Sequence, residues 1–202
     1  MSSILKVDEI QDTAGNNIIN ENADTVTIGK SGDTVNVVGT LQNGGTNFLQ
    51  GITEADQWRM TADLTADADP ISSNLERVDD GSFGYIGSGM SVSSGTWTFP
   101  STGIYHVSFT TLVSGTAIGD NVFIELQTTT DNSTYLPDGR PAAGVQVSNL
   151  VTPIFGEIFF DVEDTTTHKM RFRLLSLNSG NLIRGNTDYN ETSFTFIRLG
   201  DT

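Results

Sequence analysis

Between Gln57 and Leu199 the chain repeats one pattern: a short run of alternating apolar and polar residues, then a cluster of turn formers. Alternation with a period of two places every second side chain on one face of an extended strand. Strands are expected at Gln57–Leu64, Leu75–Val78, Gly84–Ile86, Met90–Val92, Gly95–Phe99, Gly103–Val113, Asn121–Thr129, Pro153–Val162, His168–Leu177 and Glu191–Leu199. Turn signals such as Asp79-Asp80-Gly81, Pro137-Asp138-Gly139, Asn178-Ser179-Gly180 and Arg184-Gly185-Asn186 lie between them. No helical interval separates the runs, so the pattern predicts an all-β sandwich or jelly roll.

The clearest part of the pattern is a corner. Trp97 and Phe99 alternate with threonine, and Pro100-Ser101-Thr102-Gly103 supplies a fixed φ, two local hydroxyls and a residue free to take positive φ. Beyond it, Tyr105, Val107 and Phe109 share one face, and His106, Ser108 and Thr110 share the other. Two later runs are equally legible. Ile154, Ile158, Phe160 and Val162 lie opposite Phe155, Glu157, Phe159 and Asp161; Met170, Phe172 and Leu174 lie opposite Lys169, Arg171 and Arg173. Phe155 and Phe159 share their face with acids, so they are either core of a second layer or a patch that another subunit buries.

The amino-terminal quarter follows a different rule. Asp24-Thr25-Val26-Thr27-Ile28 is matched nine residues later by Asp33-Thr34-Val35-Asn36-Val37. Each unit presents two apolar side chains on one face, Val26 with Ile28 and Val35 with Val37. That is too little to bury alone, so such units gain stability by stacking on copies. The missing copies are expected from other chains, three of them around a common axis; a pair of strands packed on the larger domain is the other reading. Gln42-Asn43-Gly44-Gly45-Thr46-Asn47 reads as a hinge, and Thr53-Glu54-Ala55-Asp56 as one helical turn or a shoulder. The expected organisation is a docking segment at 1–20, a short β-repeat stalk and hinge at 21–47, and a head at 48–202.

Charge and composition narrow the function. A net charge of -15, from 25 acidic and 10 basic residues, opposes the phosphate neutralisation that nucleic-acid and anionic-membrane binding need. With no cysteine, the chain has no disulfide, zinc-thiolate or cysteine nucleophile. Met1–Ile10 lacks the apolar stretch of a signal peptide, and no run approaches the ~18 apolar residues of a membrane-spanning helix. Catalytic signatures are missing too: Gly87-Ser88-Gly89 follows Ile86 rather than glycine, so it is no nucleophile elbow, and no Gly-Lys-Ser/Thr completes a phosphate loop. His106 and His168 have no second histidine at ligand spacing and are expected at the surface or an interface. The carboxylate neighbours Asp67/Asp69, Asp79/Asp80 and Glu163/Asp164 do not by spacing define an acid–base pair. No cofactor is expected; Asp79-Asp80-Gly81 is the best calcium candidate, set against a solvated turn. Tyr135 and Tyr189, in polar loop segments, are candidates for stacking on a glycan or for ordinary loop anchoring.

Trp97-Thr98-Phe99-Pro100-Ser101-Thr102-Gly103-Ile104-Tyr105-His106-Val107-Ser108-Phe109 resembles the signature of complement-type globular heads, trimeric jelly rolls shared with the tumour necrosis factor superfamily. Ser193-Phe194-Thr195-Phe196-Ile197-Arg198-Leu199 resembles that family's closing strand but lacks its glycine. At the other end, Leu5-Lys6-Val7-Asp8-Glu9-Ile10-Gln11-Asp12-Thr13-Ala14-Gly15-Asn16 resembles the opening of fibre and appendage proteins of marine tailed phages. Together these resemblances imply a non-enzymatic virion protein assembled in the host cytoplasm. It would be a homotrimeric tail fibre or appendage, held to other virion proteins by residues 1–20, with a head that contacts a surface glycan or protein. A capsid decoration or head fibre is the alternative the same resemblance leaves open.

Overall fold

The structure, a computed structural model, describes residues 38–39, 42–43, 46–47, 51–119 and 121–202. Val26, Ile28, Val35 and Val37, with the whole 1–20 segment, lie outside the described residues. The chain divides into two units, Met1–Leu49 and Gln50–Thr202. In the first, within the stretch expected as a hinge, β1 (Gln42–Asn43) pairs antiparallel with β2 (Thr46–Asn47).

The second unit is a sandwich of two antiparallel sheets, with no helix among the described residues. Its strands are β3 (Ala55–Met60), β4 (Leu75–Arg77), β5 (Ser91–Ser93), β6 (Thr96–Thr98), β7 (Gly103–Gly115), β8 (Asn121–Thr129), β9 (Leu136–Gly139), β10 (Ala142–Gly144), β11 (Thr152–Val162), β12 (Lys169–Leu175), β13 (Asn181–Ile183) and β14 (Ser193–Gly200). The first sheet runs β11-β7-β14-β3-β4, with β13 also on β7; the second runs β10-β8-β12-β6-β5, with β9 beside β10 on the same edge of β8. From β7 to β8 to β11 to β12 the chain changes sheet at each long connection, as in a jelly roll.

Where the expected strands differ from these, the causes are local. Gly84–Ile86 is not a strand: Ile86 makes only an isolated bridge to Ala55. Thr53–Asp56 is not a helical turn, because Ala55 and Asp56 open β3. Pro137-Asp138-Gly139, expected as a turn, lies in β9. Proline tolerates this place because β9 is an edge strand meeting β8 at a register shift.

The core fills the space between the sheets with the residues whose alternation was legible. Trp97 of β6 is fully buried, its ring centroid 5.2 Å from Trp58, 4.9 Å from Phe196 and 6.3 Å from Phe172, so rings from both sheets meet around it. Tilted and edge-on contacts of this kind suit the ring quadrupoles. Its Nε1–H has no acceptor among the described residues, so packing alone holds the indole. The corner beneath is fixed by Gly103, at φ 137°, where an added Cβ would collide with the Gly200 carbonyl. It is closed by Tyr105, whose hydroxyl donates to the Ser101 carbonyl at 3.0 Å and lies 2.9 Å from the Ser101 hydroxyl. Burial pushes the Tyr105 phenol above its ordinary value, against the smaller opposite effect of the Ser101 hydrogen bonds.

Candidate functional site

The outer face of the first sheet is built by register. Phe159 of β11 stands beside His106 of β7, then Ile197 of β14, then Ala55 of β3. The next row is Glu157, Ser108, Thr195 and Gln57; the next is Phe155, Thr110, Ser193 and Arg59. Phe155 is 75% exposed and Phe159 70%, so the sandwich core is not their place. They stand as two knobs on an edge strand. Beside them the face is low, floored by the short side chains of Ser108, Thr110, Ser193 and Thr195. His106 joins floor to knobs: its Nε2 is 2.9 Å from the Glu157 carboxylate, and its ring centroid is 5.3 Å from that of Phe159.

Charge on this face is already paired at its far side. Arg59, buried, is bound by Glu76 at 2.7 Å, Asp79 at 2.8 Å and Asp80 at 2.6 Å. Burial alone would lower the pKa of the guanidinium; the hydrogen bonds and charges of Glu76 and Asp80 outweigh it and leave the group more basic than usual. The calcium candidate Asp79-Asp80 thus spends both carboxylates on an arginine, and among the described residues no group of three or more His, Cys, Asp or Glu is placed to hold a metal ion.

Three of the other carboxylates singled out in the sequence, Asp67, Asp69 and Asp164, also serve the fold. Asp67 accepts the Leu177 N–H at 2.7 Å, Asp69 meets Arg173 at 3.0 Å, and Asp164 receives both the amide and the hydroxyl of Thr166. His168 corrects the expectation of a surface histidine: it is buried, its ring stacked 5.9 Å from that of Phe160. A group that alternation did not reveal is Asp56. Its buried carboxylate receives Arg77, the Trp58 indole N–H at 2.9 Å and the Met90 amide at 2.7 Å, tying β3 to β4 and to the strand that follows.

The loop tyrosines have different settings. Tyr135 lies under the Arg171 guanidinium at 4.1 Å, on the outer side of the second sheet, so one ring face is occupied. Tyr189 is 56% exposed, in the loop between β13 and β14. The two are not brought together with the phenylalanines: Tyr135 belongs to the second sheet's surroundings and Phe155 and Phe159 to the first sheet's outer face. The loop between β8 and β9 that carries Tyr135 also holds Asp131, with Asp138 beyond it in β9, and neither acid stands out in the sequence as part of a site. The signal around Asp131 is an unbroken polar run, Thr128-Thr129-Thr130-Asp131-Asn132-Ser133-Thr134.

Solved structures with this architecture identify the type of sandwich. The chain is similar to the Eiger tumour necrosis factor from S. frugiperda, with a TM-score of 0.58 and 12% identity over 75% of this chain and 96% of that one. It is also similar to murine APRIL in two crystal structures, at pH 5.0 and pH 8.5. Their TM-scores are 0.54 and 0.52 and their identities 9% and 10%, over 72% of this chain and 98% of each APRIL chain. The fold is a tumour-necrosis-factor-like jelly roll. No family model matches the chain, and no curated protein matches its sequence. The covered share corresponds in extent to the jelly-roll unit, so the likeness speaks for the head's fold and for nothing N-terminal to it.

Proposed function

We propose that the chain is a non-enzymatic structural protein of a virion, a homotrimer whose jelly-roll head contacts a surface glycan or protein and whose amino-terminal segment docks on other virion proteins. The observation that carries the trimer is the pair of exposed knobs, Phe155 and Phe159, standing beside a floor of small side chains on one sheet. Knob and floor are different patches of the same protomer. They fit each other head to tail, and a head-to-tail contact either closes into a ring or runs on as a filament. Closure by three is supported by the resemblance of Trp97–Phe109 to trimeric heads. The occupant of the face is therefore a second copy of this chain. Burying one phenylalanine contributes about 1.5–3 kcal/mol, and three such contacts form at once around the axis.

The virion assignment is supported by Leu5–Asn16, which resembles the opening of phage appendage proteins. Three heads per trimer, and several trimers per particle, raise weak binding by about 10²–10⁴ through avidity. Hydroxyl-radical footprinting of the intact protein tests the face: Phe155 and Phe159 are expected to be protected despite their exposure in one protomer, and full labelling of both contradicts the contact. For the role in the particle, purified protein is expected to adsorb to susceptible cells and to compete with infection. Binding to empty capsids instead, without adsorption to cells, points to the decoration role.

A further inference from the structure

We propose that the polar concavity at the tip of the β8–β9 hairpin is a binding site for a neutral saccharide. The inference deepens the reading above by naming the ligand class and the place on the head that takes it. The concavity has a volume of about 310 Å³. That lies at the small end of ligand pockets and suits one sugar ring.

Its chemistry is that of hydroxyl recognition. Thr128 and Thr129 are buried at its base, and each donates its hydroxyl to an acid: Thr128 to Asp138, and Thr129 to Asp131 at 2.7 Å. Among the described residues neither acid forms an ion pair, in contrast to Glu125 of the same strand β8 and to Asp69. Both carboxylates line one hollow, and each keeps one oxygen, Asp131 Oδ2 and Asp138 Oδ1, without a hydrogen-bond donor among the described residues. Such oxygens are strong acceptors for ligand hydroxyls, since charge-assisted hydrogen bonds are about twice as strong as neutral ones. Thr134 adds a hydroxyl that can donate or accept, and Leu136, 61% exposed at the rim, offers an apolar surface to the C–H face of a ring.

The site is held ready before anything binds. Asp131 accepts the amides of Ser133 and Thr134, each at 2.8 Å, and Asn132 takes φ 55° and donates its amide to the Thr167 carbonyl at 3.0 Å. The loop is thereby tied both to itself and to the turn before β12, which reduces the ordering cost of binding. The two acids, within a chain of net charge -15, select against anionic sugars. A divalent cation is the competing occupant, but two carboxylates supply few of the six to eight oxygens that calcium takes.

The test is amide NMR on the intact protein, titrated in turn with the methyl glycosides of glucose, galactose, mannose and N-acetylglucosamine, with N-acetylneuraminic acid, and with calcium chloride alone. At least one neutral glycoside is expected to shift amides within Thr128–Asp138 saturably, with a dissociation constant in the millimolar range. N-Acetylneuraminic acid should bind at least about tenfold more weakly. Asp138→Asn, close in shape, should weaken binding about tenfold with the thermal midpoint unchanged. Asp131→Asn provides a second variant, its fold checked in the same spectra. The site is overturned if no glycoside shifts these amides, if the shifts fall elsewhere, if calcium alone shifts them, or if folded variants bind as well as the parent. A trimer that adsorbs to cells but shows no glycoside shift removes this site and leaves the trimeric head. A monomer that still binds a glycoside does the reverse.

Discussion

Single side chains divide here into those that hold the sandwich and those that it displays. Asp56 belongs to the first kind: its carboxylate gathers Arg77, Trp58 and Met90, so Asp56→Ala leaves a cation and two N–H donors without their acceptor. We expect a loss of about 3 kcal/mol, toward the lower end for a broken buried pair because Arg77 can turn to water, read as a shifted midpoint in urea unfolding. Tyr105 makes a prediction of opposite sign in pH. Its phenol is held above the ordinary value near 10 by burial, so the folded state resists ionisation and its stability falls as pH rises past the unfolded value. In an absorbance titration a tyrosine step should fall above the ordinary phenol value, and Tyr105→Phe should remove it. Asp131 titrates at the other end. Hydrogen bonds from the Thr134 amide, the Thr129 hydroxyl and the Ser133 amide hold its carboxyl far below the usual range. Its contribution to the loop is complete above pH ~4, the ordinary carboxylate value, and is lost only as the pH falls toward the depressed one. Carboxyl carbon shifts should show Asp131 still ionised at a pH below the ordinary aspartate value.

At the scale of elements, the strands that the sequence made plain are those with one face in the core. β7, β11 and β12 read directly because Tyr105, Val107 and Phe109, or Met170, Phe172 and Leu174, alternate cleanly with polar neighbours. β9, β10 and β13 were hidden because they are short edge strands of Leu-Pro-Asp-Gly, Ala-Ala-Gly and Asn-Leu-Ile, held by hydrogen bonds to β8 and β7 with little apolar pattern of their own. The same limit applies to the sites. Phe155 and Phe159 stood out as apolar residues on an acidic face, yet whether they were core or surface depended on which side of β11 carried the second layer. The β8–β9 hollow was hidden altogether, because its acids become neighbours only when Leu136–Gly139 folds back along β8. The corner makes a prediction at this scale. Gly103→Ala places a Cβ at positive φ against the Gly200 carbonyl and should cost about 1–3 kcal/mol, measured by thermal unfolding. Gly200→Ala, where an added Cβ meets nothing, serves as the comparison.

The whole molecule is best understood from what one protomer leaves uncovered. Its interior is complete: Trp97 and the rings around it fill the space between the sheets. Its first sheet, however, ends in two bare phenylalanines beside a floor of serine and threonine, and the fold is shared with tumour-necrosis-factor-like heads. In the account proposed here, copies of the chain cover one another's floors, and the loops that remain outside meet the ligand. Sedimentation equilibrium of the intact chain and of the double variant Phe155→Asp, Phe159→Asp tests this most directly. The intact chain is expected as a trimer of about 65 kDa, three times the 21.7 kDa chain. The variant is expected to fold and to associate about 100-fold or more weakly, through the loss of two buried aromatic contacts. A monomeric or dimeric parent, or a variant that associates as tightly as the parent, contradicts this arrangement.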